Sequence, residues 1–111
     1  MVSIVDVPAV LAQGGSGVLW SAPPGDLNAN VVALVAEQHI DEHRQDEVDV
    51  LVVVLSGDGE LAVDGESHGV GAQQIVVIPA GARRSIRAGA SGVAYLTVHR
   101  ARGPLQIKRG T

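Results

Sequence analysis

The chain of 111 residues has no cysteine and no phenylalanine, and only one tryptophan and one tyrosine. Without thiols there is no disulfide, thiolate metal site or cysteine nucleophile. With Trp20 and Tyr95 as the only aromatic rings, platforms for stacking bases or sugars are nearly absent, and the core must be aliphatic. No apolar run approaches the ~18–20 residues that cross a bilayer. The first residues also lack the basic flank and long apolar stretch of a signal peptide. A cytoplasmic protein without a membrane partner is therefore expected. A net charge of −4 argues against a protein that coats nucleic acid, and the arginines at 83, 84 and 87 lack the interleaved aromatics of a single-strand binder. The short glycine pieces at 14–17 and 57–59 lack the helix and lysine of a phosphate loop. No nucleophilic serine elbow is present.

What the chain does contain is β-branched aliphatic residues, 19 Val and 6 Ile, with 14 Gly and 5 Pro between them. Val and Ile suit pleated, packed surfaces, and Gly and Pro suit turns, so an all-β domain is expected. Strand candidates are Ser3–Val7, Val18–Ser21, Val31–Ala36, Val48–Leu55, Glu60–Val63, Gln74–Ile78, Arg84–Arg87 and Val93–His99. Asp64-Gly65 is a type I′ hairpin signal. Ser56–Gly59 reads as a turn, Ala88–Gly92 as a loop and Pro8–Gln13 as a helical turn. Turn signals between closely spaced strands indicate a sandwich or barrel. The chain reads as one domain, residues 1–111, with a core at about 27–101, N-terminal strands or an arm at 1–26 and a tail at 102–111.

In Val48–Leu55 the alternation places Asp49, Leu51, Val53 and Leu55 on one face and four valines on the other. Both faces are apolar, so something must cover the second, and a homodimer is expected. Charge is segregated as well. Six of the 12 acids lie between Glu37 and Asp49, and seven of the 8 bases lie beyond residue 82. These two regions are expected to meet within the fold or across a dimer.

The stretch from His43 to Arg84 resembles the cupin superfamily, whose small double-stranded β-helix barrels, of jelly-roll type, carry two motifs. The first runs H-x-H, three or four residues, E, six residues, G. The second runs G, five residues, P-x-G, two residues, H. Here Gly57 matches the end of the first motif, and Gly71 with Pro79-Ala80-Gly81 matches the second with two extra residues. In the family these histidines and the glutamate bind one divalent metal ion. One register places His43, Gln45 and Asp49 at the first three ligand positions and Arg84 at the last. Another sets Asp41 and His43 as the pair and Glu47 as the acid.

Arg84 is the informative departure. A guanidinium has no lone pair to give a metal, and a cation about 4 Å away would be repelled by several kcal/mol at an effective dielectric near 20. The resemblance therefore implies a cupin without a metal, in which an Asp49–Arg84 pair could take over the electrostatic role. The ligand-binding candidates are His43, Gln45, Asp49, Arg84 and His99, around a small molecule whose anionic character is suggested by Arg84 alone. His99 alternates in phase with Tyr95 and Thr97, so the three could form one polar wall. The alternative is a metal-dependent enzyme of dioxygenase or isomerase type, its divalent transition metal held by His43, Asp49, Glu47 and His99. That reading requires Arg84 to point outward. A second alternative is a structural or regulatory dimer with a filled barrel.

Overall fold

The computed structural model describes residues 2–44 and 47–101. One short helix, α1 (Val7–Leu11), precedes seven strands: β1 (Gly17–Ser21), β2 (Leu27–Leu34), β3 (His39–Arg44), β4 (Val50–Val63), β5 (Glu66–Gly71), β6 (Ile75–Ile78) and β7 (Arg83–Arg100). The expected strand at Ser3–Val7 is absent. Pro8 lies in the first turn of α1, where its missing N–H costs nothing and its fixed φ favours the helix.

Every strand pair is antiparallel. The two long strands organise the rest. The second half of β7 pairs with β2, its first half pairs with β3, and both halves pair with β4. β4 in turn holds β6 along its first half and β5 along its second. The result is two sheet halves, β1-β2-β7-β4-β6 and β3-β7-β4-β5, that share bent central strands.

Those bends replace two expected connections. Ser56–Gly59 is not a turn and Ala88–Gly92 is not a loop, because β4 and β7 run through both. Gly57 and Gly92 both have positive φ, +74° and +79°, and the β4–β7 register shifts on either side of Gly57. Glycine here lets a strand fold from one sheet half to the other without ending. Asp64-Gly65 does turn the chain between β4 and β5, with both φ values positive (49° and 81°), as a type I′ turn needs. Asp64 also ties the hairpin to β7, its Oδ1 accepting from the Arg83 N–H at 2.9 Å.

The inner face carries Val32, Leu34, Val50, Val52, Val54, Leu61, Ile78, Ile86, Ala88, Val93 and Tyr95, all buried. On β4 the inward set is therefore Val50, Val52 and Val54, while Leu51 and Val53 face outward beside Val98 and Leu96 of β7 and Val77 and Ile75 of β6. The acidic stretch after Glu37 contains β3, which lies against the basic start of β7, so the two oppositely charged regions are neighbours within one chain.

Candidate functional site

A cavity of about 320 Å³ opens between the two sheet halves. β2 contributes Asn30 and Val32, β3 contributes Ile40 and His43, β4 contributes Val52 and Leu61, and β6 contributes Ile78. β7 bends around the cavity and supplies Arg84, Ser85, Ile86, Tyr95, Thr97 and His99. The pleat explains the last three: residues 95, 97 and 99 alternate onto one face, opposite Val32, Asn30 and Asn28 of β2.

Arg84 stands directly across from His43 in the β3–β7 ladder. The residue is half-buried, but its Nη1 is sealed from solvent and has no hydrogen-bond partner among the described residues. Burial pulls its pKa below the ordinary arginine value, opposed by the nearby Tyr95 ring. Even so, a guanidinium stays charged in proteins. Burial also pushes the Tyr95 hydroxyl up to about 12, against the pull of Arg84. At neutral pH the phenol is therefore a neutral hydrogen-bond donor and supplies no counter-charge. The cavity lining holds a fixed positive charge whose Nη1 has no partner among the described residues.

The two histidines are oriented by their own strands. His43 Nδ1 lies 3.2 Å from the Asp41 carbonyl oxygen, and His99 Nδ1 lies 2.9 Å from that of Arg100. A carbonyl only accepts, so each Nδ1 carries the proton, and Nε2 is the ring nitrogen left for a ligand. Beside His99, the Ser21 hydroxyl donates to Asn30 Oδ1 (2.6 Å) and the Asn30 amide donates to Asn28 Oδ1 (2.8 Å), which fixes the β2 rim.

Of the sequence candidates, His43, Arg84 and His99 share this cavity and Asp49 does not. Asp49 is exposed, and its Oδ1 accepts from the Ala80 N–H at 2.8 Å. It is in phase with Leu51 and Val53, and that phase is the outer one, so the expected Asp49–Arg84 pair does not form. Glu47 is exposed too and borders the same surface hollow as Asp49, next to Arg100. Gln45 lies outside the described residues. Asn30 was not singled out by the sequence, although its position two residues before Val32 places it on the inward face of β2.

A divalent cation does not fit the described lining. Two imidazoles are present without a carboxylate, and the guanidinium opposite His43 opposes a cation electrostatically. Among the described residues no group of three or more His, Asp or Glu could hold a metal ion. The set His43, Asp49, Glu47 and His99 is divided between the cavity and the outer surface.

A family model described as "Cupin domain" matches residues 30–99, which include all seven of the polar and charged cavity residues. Comparison with curated proteins by sequence finds no match. Among solved structures, a Thermus thermophilus protein superposes with a TM-score of 0.76 at 20% identity, over 90% of this chain and 98% of its own. The cupin domain of Cnp3 from Schizosaccharomyces pombe gives 0.69 at 19% identity, over 75% of this chain and 63% of that one. A cupin protein from Bacteroides fragilis gives 0.67 at 22% identity, over 78% and 75%. At these identities the likeness is one of fold. No helix among the described residues is long and apolar enough to cross a membrane.

Proposed function

The chain belongs to the cupin family, and from that premise we propose that it binds a small anion in its barrel without using a metal ion. The observation that carries this reading is Arg84, a fixed positive charge that lines the cavity and whose Nη1 has no hydrogen-bond partner among the described residues. A buried donor on a charged group is costly to leave unsatisfied, and an anion is the partner that relieves the cost. The neutral Tyr95 hydroxyl and the Thr97 hydroxyl line the same cavity as further donors. The metal-dependent enzyme reading required Arg84 outside the barrel, and the filled-barrel reading required no cavity. The geometry favours neither.

The test is calorimetric titration of the full chain with chloride, phosphate, sulfate and acetate, repeated on Arg84→Met and Asp49→Ala. At least one anion should bind the wild type and Asp49→Ala alike and lose tenfold or more in affinity for Arg84→Met. Equal binding by Arg84→Met would overturn the proposal.

We further propose that the outer face of β4, β6 and β7 is covered by a second copy of this chain. The six adjoining positions Leu51, Val53, Ile75, Val77, Leu96 and Val98 are all aliphatic, with Asp49 and Arg100 at one end of the face, and Ile75 and Val77 are 66% and 64% exposed on an edge strand. A patch that is uniformly aliphatic is self-complementary, as a two-fold interface requires. Sedimentation should show a dimer that Val77→Glu converts to monomer. A monomeric wild type would remove this interface.

A further inference from the structure

The cavity is layered, and the layering bears on which anion it takes. β7 bends at Gly89–Gly92, so residues equally far from the bend lie at equal depth in the barrel. The layer nearer the opening contains Arg84 and His43 on one sheet half and Thr97 and Asn30 on the other. The layer beneath it pairs Ile86 with Ile40 and Leu61, while Tyr95 pairs with Val32 and Val54. Apart from the Tyr95 hydroxyl, this floor is aliphatic. At about 30 Å³ for each water-sized unit, a volume of about 320 Å³ accommodates a molecule of about ten non-hydrogen atoms.

Two properties of the lining narrow the ligand further. One guanidinium is present, enough for one carboxylate in bidentate contact. Among the described residues no carboxylate lines the cavity, so a ligand ammonium group would find no anionic partner there when desolvated. An amino-acid zwitterion is thereby disfavoured. A second ligand carboxylate would find no second guanidinium in the described lining.

We infer that the ligand is an aliphatic monocarboxylic acid, its carboxylate on Arg84 and its short, branched body on the Ile40–Leu61–Ile86 floor. The inference rests on the anion reading above and specifies its ligand class. Burial of each methylene adds about fourfold in affinity, so chain length and branching are the sensitive variables.

The experiment titrates the full chain with 4-methylpentanoate, acetate, glutarate, L-leucine and the neutral 4-methylpentanamide. The expected result is that 4-methylpentanoate binds at least tenfold more tightly than each of the others. Val52→Thr, which puts a hydroxyl into the cavity wall, should reduce the 4-methylpentanoate-to-acetate ratio severalfold, with a circular dichroism spectrum like that of the wild type reporting an intact fold. Acetate or leucine binding as well as 4-methylpentanoate would overturn the inference and leave the anion reading standing. So would phosphate or sulfate binding without any carboxylate. If 4-methylpentanamide equals 4-methylpentanoate, the charge on Arg84 selects nothing and the anion reading falls as well.

Discussion

Gly57→Ala should lower the thermal midpoint by about 10–20 °C, the largest loss expected from any single methyl group added to this chain. Two costs coincide at this position. Gly57 has a φ of +74°, where an L side chain is strained by about 1–2 kcal/mol. Its added Cβ would also fall on the Gly92 carbonyl oxygen, with the Gly92 carbonyl carbon at 2.9 Å and the Val93 Cα at 3.1 Å. These are backbone atoms and cannot rotate away. Gly92 cannot retreat either, since a Cβ built on it would lie 2.7 Å from the Leu34 carbonyl oxygen. Three backbones, from β4, β7 and β2, are stacked in direct contact where the two long strands bend. Overpacking of this kind costs about 1–3 kcal/mol. Together the two costs reach about 3 kcal/mol, and 1 kcal/mol is worth about 4–8 °C in a domain near this size.

Gly65→Ala provides the comparison. Gly65 has φ +81° but nothing within 4 Å of the added Cβ, so conformational strain acts there alone, and the loss should be about half as large. Thermal unfolding followed by circular dichroism measures both. Equal shifts for the two variants would mean that the stacked backbones at Gly57 move apart at no cost.

The same glycines show how far the sequence could be read. Val/Ile abundance and regular turn signals indicated an all-β jelly-roll barrel, and the motif remnants around Gly57 and Pro79-Ala80-Gly81 indicated a cupin. Both hold. A glycine that bends a strand and a glycine that ends one look alike in sequence, so Gly57 and Gly92 read as interruptions in what are two continuous strands. β3 was missed because five of its six residues are exposed and only Ile40 is partly buried. An edge strand of that kind has no apolar alternation to detect. Asp49 was misplaced for a related reason. Its phase with Leu51 and Val53 was legible, but β4 is aliphatic on both faces and periodicity does not say which face is inside. The register of β4 against β6 and β7 decides it. The unpartnered Arg84 nitrogen was beyond the sequence altogether, since it depends on what the other sheet half brings opposite.

Arg84→Met should make the ligand-free protein more stable, while removing the binding that the arginine provides. A buried donor without a partner costs about 1–3 kcal/mol, and replacing a poorly compensated buried charge by an apolar side chain of similar length is often stabilising. Arg84 is half-buried rather than fully enclosed, so the gain should be toward the lower end, about 1 kcal/mol, or a rise in thermal midpoint of about 4–8 °C. Methionine keeps an apolar stem in the cavity wall that Leu61 and Ile86 also line and gives up only the guanidinium, so little packing is lost with the charge. Adding a bound anion should reverse the order. A ligand at a hundred times its dissociation constant stabilises the protein that binds it by about 2.7 kcal/mol. The wild type should gain this and the variant should not. Thermal unfolding of both proteins at minimal anion concentration, and again with saturating carboxylate, should therefore give stability curves that cross. If Arg84→Met is the less stable protein in both conditions, the Nη1 donor is satisfied in the free protein. The residue is then a structural element of the barrel wall rather than a site held open for a ligand. The crossing is what a binding role requires: an arrangement that is unfavourable when empty and is relieved when the cavity is occupied.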